Sequence, residues 1–399
     1  MRTDRTTLAT ILAIVVAGSA LRLAAPHEFE FKADEARMVD LVRDARATGD
    51  LPWLGMATSQ GVRNPGMSVW PFVALSYVFG PDSFGLTQSV RVLNVLALMA
   101  AIGFAWWRLR GTDQQLWLAG VLLAAVNPME VVLQRKLWAQ SILPVFALLM
   151  LWLWIDRKRS WRHAAGLGAV AAVVAQIHPS GMFVVAALLA GALWDRDRRE
   201  VSWAAAALGF AALAWPLYFW GGHLIGIATG AASAGSLPLS PKTWLLNVVS
   251  FRYVHLLLSN VAGVAMRHSL GSHFAAFVAQ PIVFVAHIAL VVITLFALGR
   301  WLLRRCPVPA NELKPLLGWG LVGTGILMTA AGVFVQRHYY FGLFPLPYVA
   351  FALVLRGGKS WMPVYIVAAL QLVVSAAFLI FIHTNGGAPG GEFGPLRHL

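Results

Sequence analysis

The 399-residue chain is 59% hydrophobic and only 12% charged, a balance that excludes a soluble globular protein. Repeated long apolar runs make it a polytopic helical membrane protein, and the net charge of +14 is read as orientation and anionic-lipid contact, with no nucleic acid as partner. One cysteine, Cys306, excludes an internal disulfide or a Cys-based metal cluster, and no P-loop or dinucleotide-binding glycine pattern is present.

Thr6 to Leu21 is a first apolar helix behind Arg2 and Arg5, read as an uncleaved span with its N-terminus inside. A polar interval from Phe31 to Pro65 follows. Within it Met38, Leu41, Val42 and Ala45 recur at helical spacing, while Asp40, Arg43, Asp44 and Arg46 take the other side. That pattern predicts a helix lying on the membrane surface, with Asp34 and Glu35 at its N-terminus where the dipole favours negative charge. Capping alone accounts for such a pair in an isolated loop. Met67 to Gly80 is about 21 Å long at 1.5 Å per residue, too short for a ~30 Å hydrocarbon core, and reads as a second surface or re-entrant helix.

The next spans are Phe84 to Trp107, Leu116 to Pro128 and Leu137 to Ile155. Ala164 to Trp194 has basic clusters at both ends, so it must turn back at His178-Pro179 as a hairpin of two helices. Ser202 to Trp220, Phe274 to Leu298, Leu316 to Val335, Phe341 to Leu355 and Trp361 to Ile382 complete the set. The expectation is one module over residues 1–383 with about eleven transmembrane helices. Outer loops lie at 27–83 and 221–272, and a Gly/Pro-rich tail at 384–399 is expected to be disordered. Of the 31 Lys and Arg residues, 17 then fall in short cytoplasmic loops, which agrees with the positive-inside rule.

This topology places Asp34/Glu35, Gln134/Arg135/Lys136, His178 and Arg337/His338/Tyr339 on one outer face. Singly each has a bland explanation: a helix cap, a snorkelling cation, a turn, an anchor. Jointly, charges near hydrocarbon cost about 2.5–3.5 kcal/mol each and line a cavity or serve a function. A carboxylate beside several cations suits chemistry on an anionic, membrane-borne substrate, with the carboxylate as base and the cations holding a departing phosphate.

In order along the chain, Leu21-Arg22-Leu23, Asp34-Glu35-Ala36, Asn64-Pro65-Gly66, Arg91, Asn127-Pro128, Arg135, His178-Pro179 and Arg337-His338-Tyr339 resemble the GT-C glycosyltransferases. The branch is that of the dolichyl-phosphate-mannose–protein mannosyltransferases and the lipid A aminoarabinose transferase. The resemblance covers about the first 200 residues and returns at Arg337 to Pro347. It implies a GT-C-like bundle with outer-face juxtamembrane helices in a bacterial inner membrane, its site facing the periplasm. It implies a polyprenyl-phosphate sugar donor, a glycan, lipid or protein acceptor, and inversion at the anomeric carbon. Asp34 matches the family's catalytic aspartate, with Glu35 orienting it or binding the acceptor. Arg135, Lys136 and Arg337 would hold the donor phosphate, with Tyr339 and His178 nearby. Arg37, Arg63, Glu130, Gln140 and His338 are weaker candidates. Gln140 stands where the family usually has an aspartate, and a neutral amide is a poor ligand for a hard divalent ion, so neither a metal nor another cofactor is expected. Two rivals stand beside this reading. A lipid-linked-sugar flippase would need cations through the membrane depth or symmetrical halves, and neither is seen. A catalytically inactive binding protein of the same fold is kept open by Gln140.

Overall fold

The structure, a computed structural model, describes residues 5–57, 62–195, 198–229, 241–303, 312–356 and 360–398. It is a bundle of helices with two small two-stranded sheets that the all-α expectation did not contain.

Helix α1 (Arg5–Leu23) leads into strand β1 (Glu28–Glu30) and the surface helix α2 (Ala33–Thr48). The amphipathic reading of α2 holds: Met38, Leu41, Val42 and Ala45 are buried, and Gly49 ends the helix in the left-handed conformation. The hairpin of β2 (Leu54–Ala57) and β3 (Arg63–Pro65) and the ten-residue α3 (Trp70–Phe79) finish this loop. Helix α4 (Ser83–Arg108) precedes α5 (Gly111–Val126), whose residues from Leu116 to Val126 are all buried, so α5 is the bundle's centre. It packs on α1, α4 and two later helices.

Prolines set the breaks. Asn127 caps the short α6 (Pro128–Leu133), its Oδ1 accepting from the N–H groups of Met129 (2.9 Å) and Glu130 (3.3 Å). After α7 (Leu143–Ile155), helices α8 (Trp161–Ile177) and α9 (Pro179–Trp194) form the expected hairpin. His178 caps α9 by accepting from the Ser180 N–H at 3.2 Å. Helices α8 and α10 (Trp203–Ala214) touch backbone to backbone: a Cβ on Gly168 would stand 1.9 Å from the Ala206 oxygen. The expected single span from Ser202 is bent by 63° between α10 and α11 (Pro216–Ala228), at the proline. Helices α12 (Pro241–Val249), α13 (Arg252–Ala262), α14 (Met266–Leu270) and α15 (Phe274–Val278) fill the long loop, and Pro281 separates α15 from α16 (Pro281–Leu303). Then come α17 (Leu313–Ala330), α18 (Leu346–Arg356) and α19 (Met362–Asn385).

Among the described residues five helices are long and apolar enough to cross a membrane, or up to seven if each bent pair is one span. That measure falls short of about eleven, because α5, α7, α8 and α9 have only 13 to 17 residues. The chain is therefore a multi-pass membrane bundle whose span count its length pattern does not fix. The tail corrects a second expectation. Instead of being disordered, it turns back from α19 and pairs strand β4 (Leu396–His398) antiparallel with β1. Glycine and proline there build a turn that backbone bonds hold, so composition alone misled.

The two ends of the bundle differ in their charges. At one end Arg108 pairs with Asp156 at 2.5 Å, and Arg157 and Lys158 pair with Asp195. The other end gathers the first polar loop, the α6–α7 link, the α8–α9 turn, the 3-10 turn Arg337–Leu343 and the tail.

Candidate active site

Glu30, at the end of β1, is the hub of that second end. Its fully buried carboxylate takes the Lys32 ammonium on Oε1 (2.7 Å), the Lys136 ammonium on Oε2 (2.7 Å) and the Gly394 N–H on Oε1 (2.7 Å). Lys136 is buried, lies 3.5 Å over the Trp138 ring, and also donates to the Glu392 carbonyl. Burial lowers its ammonium from the ordinary lysine value, and the charges of Glu30 and Glu35 oppose that shift. Glu35 is fully buried; its Oε2 accepts the Lys32 N–H at 3.1 Å, while Oε1 has no hydrogen-bond partner. Burial first, then the Glu30 charge, pushes its carboxyl up to about 7, against the pull of Lys136. Asp34, one residue earlier, is exposed on the first turn of α2.

Beyond Trp138 lies an aromatic nest. His338 meets Trp138 at 5.8 Å and His178 at 5.4 Å between ring centroids, and Tyr339 stands 5.0 Å from each histidine. Burial pushes the His178 imidazole down to about 4, so it is neutral. Arg337, on the same turn, donates to Ser259 Oγ and Asn260 Oδ1, both at 2.9 Å, and its Nε is buried without a partner. Glu392 acts on it electrostatically from the tail. Glu35, Lys136, His178, His338, Tyr339 and Arg337 thus lie at one end of the bundle.

Other candidates have different tasks. Arg135 is buried, and its Nη1 donates to the carbonyls of Leu21 (3.0 Å), Arg22 (2.9 Å) and Ala24 (2.9 Å). These are the orphan acceptors at the end of α1, so Arg135 caps that helix through Nη1. Arg135→Ala should lower stability by at least about 2 kcal/mol, because buried acceptors lose their donor. Thermal unfolding in detergent checks this; unchanged stability with lost carrier binding would return Arg135 to the site. Glu130 belongs to a network below it, accepting from Tyr348 Oη (3.0 Å) and Gln134 Nε2, with Arg22 donating to Gln134 Oε1 at 2.7 Å. Burial pushes the Glu130 carboxyl up to about 7. Arg63 ties the β2–β3 hairpin through Gly55 O (2.9 Å), and its own carbonyl receives Trp220 Nε1 (2.8 Å), away from the hub. Arg37 is exposed, and Gln140 is half-buried on the turn Ala139–Ile142. Among the described residues no three His, Cys, Asp or Glu side chains gather as metal ligands.

Glu30, Lys32, Trp138 and Glu392 escaped the sequence reading. Glu28-Phe29-Glu30-Phe31-Lys32 alternates with period two, which would have placed the charged trio on one side of a strand. Glu392 lay in the stretch read as disordered.

No family model and no curated protein matches this chain. Among solved structures it is similar to ArnT from Cupriavidus metallidurans bound to undecaprenyl phosphate, at 13% identity and a TM-score of 0.51, over 96% of this chain and 64% of that one. An apo structure of the same ArnT gives 16% identity and a TM-score of 0.41, over 85% and 78%. The chain thus spans less than two thirds of the ligand-bound ArnT chain. At this identity the likeness shows the fold alone: a membrane-embedded helical bundle like that of ArnT.

Proposed function

We propose that the protein is a membrane glycosyltransferase that moves a sugar from a polyprenyl-phosphate donor to the hydroxyl of a glycan, lipid or protein acceptor. One observation carries the reading: two buried carboxylates and Lys136 meet at the end of the bundle where His178, His338 and Arg337 also arrive. The fold shared with ArnT, solved with undecaprenyl phosphate, supports the donor class. The proposed setting is a bacterial inner membrane crossed about eleven times, with the N-terminus cytoplasmic and the site facing the periplasm.

Asp34 is the general base, because it is exposed and an acceptor arriving from water can reach it. It takes the hydroxyl proton as the oxygen attacks C1 of the sugar. The C1–O bond to the phosphate breaks, and its electron pair leaves on the phosphate oxygen. One displacement inverts the centre. Lys136 and Arg337 hold the leaving phosphate. Neutral His178 and Tyr339 wall the donor, with His338 between them. Glu35 sets the charge beside Lys136.

That role has a pH signature. Glu35 is neutral below about 7 and negative above it, where it competes with a phosphate for Lys136. Between about pH 6 and about pH 8, undecaprenyl-phosphate binding to the wild type should weaken about threefold relative to Glu35→Gln, which removes the titration and shares the ligand's own ionisation. Parallel pH profiles in the two proteins would remove Glu35 from the site. Because the folded carboxyl lies above its ordinary 4.5, the folded state holds the extra proton, and its stability falls as pH rises from about 4.5 to about 7. The overall test of function is release of free carrier phosphate from polyprenyl-phosphate sugars by the purified protein.

A further inference from the structure

The segment from Gly386 to His398 lies against the hub and is held on three sides. Strand β4 pairs with β1. The Glu392 and Phe393 N–H groups donate to the carbonyls of His268 (2.7 Å) and Ser269 (3.1 Å) on α14. The Phe393 ring is fully buried, 5.7 Å from Phe378 of α19. The approach to α14 requires glycine: a Cβ on Gly391 would stand 2.2 Å from the Ser269 oxygen.

From this position the segment holds both partners of the buried ion pair. Its Gly394 N–H fixes Glu30 Oε1 at 2.7 Å. Its Glu392 carbonyl takes Lys136, and the carbonyls of Gly391 and Glu392 lie 3.4 and 3.3 Å from the Lys32 ammonium. An ammonium has three donors and loses stability for each one buried without an acceptor. Remove these carbonyls, and Lys136 is free to turn onto Glu35, whose Oε1 is buried without a hydrogen-bond partner. A lysine committed to Glu35 offers less charge to a phosphate.

We infer that the segment Gly386–His398 is a positioning wall of the anion site, setting where Lys136 stands directly through the Glu392 carbonyl and, by way of Glu30 and Lys32, through Gly394 and Gly391. The inference rests on the donor-phosphate reading above and adds an element to it from the far end of the sequence. It acts on affinity for the anion, through Lys136.

The test is a double-mutant cycle on undecaprenyl phosphate binding to the purified chain, using Phe393→Ala to loosen the wall at its anchor. Phe393→Ala should weaken binding about tenfold. In the Lys136→Ala background the same change should add less than about twofold, because the residue it acts through is gone. Equal losses in both backgrounds would make the segment a passive support and overturn the inference. Tighter binding in Phe393→Ala would make it a plug and overturn it as well. If Phe393→Ala does not fold, the Glu28→Cys/His398→Cys pair in a Cys306→Ser background replaces it, joining partners across β1 and β4. A fixed wall predicts equal binding in the oxidised and reduced forms; loss of binding on oxidation contradicts it. A wild type that binds no undecaprenyl phosphate would overturn the donor reading itself, and this inference with it.

Discussion

Asp34→Asn is expected to lower turnover at least about a hundredfold while leaving undecaprenyl-phosphate binding within about twofold of wild type. The amide is nearly isosteric with the carboxylate and keeps its place on the first turn of α2, but it cannot accept a proton from the acceptor hydroxyl. Binding survives because Asp34 is exposed, and the ion pairs at the hub belong to Glu30, Lys32 and Lys136. Steady-state kinetics with one donor and one acceptor, together with carrier binding, separate the two effects. Retained turnover in Asp34→Asn with Glu35→Gln inactive would move the base one residue along, into the buried position.

Lys136→Ala is expected to weaken carrier-phosphate binding between about tenfold and about a hundredfold, the range of a charge-assisted contact in a poorly hydrated site. It also leaves Glu30 Oε2 without its cation beside Glu35. With only the half-exposed Lys32 left as counter-charge, the two carboxylates repel each other more strongly, so thermal stability should fall together with affinity. Lys136→Arg should recover stability better than affinity, since a planar guanidinium cannot reproduce both the Trp138 contact and the bond to the Glu392 carbonyl. Unchanged binding in a folded Lys136→Ala protein would make the ion pair purely structural. Arg337 is set up differently, because Ser259 and Asn260 already hold its Nη1 and orient the group.

The helical bundle, the amphipathic α2 and the turn at His178-Pro179 were legible because periodicity and proline act locally. The bend at Trp215-Pro216 and the break at Pro281 carried the same local signal inside runs apolar enough to read as straight spans. The arginines were harder. Arg22, Arg91 and Arg135 all fall in the motif order, and each is buried on backbone carbonyls: Arg22 on Gly18 and Ala125, Arg91 on Ala25, Pro26 and Glu28, and Arg135 on Leu21, Arg22 and Ala24. A buried arginine facing carbonyls and one facing a phosphate have the same sequence signature, because both need a desolvated cation at a helix end. Lys136 and Arg135 are neighbours, yet one turns toward the carboxylates and the other toward the end of α1. Only tertiary packing separates them. The hub itself joins residues more than 350 positions apart, Glu30 and Gly394, which no local pattern reports.

The most direct test of the central claim is to incubate the purified chain with a panel of undecaprenyl-phosphate sugars and acceptors and to measure free undecaprenyl phosphate and glycosylated product together. One donor should release carrier phosphate in step with product, release should need the acceptor, and Asp34→Asn should abolish both. Movement of intact sugar lipid across a reconstituted bilayer with no bond broken, or binding with no release from any donor, would contradict that claim.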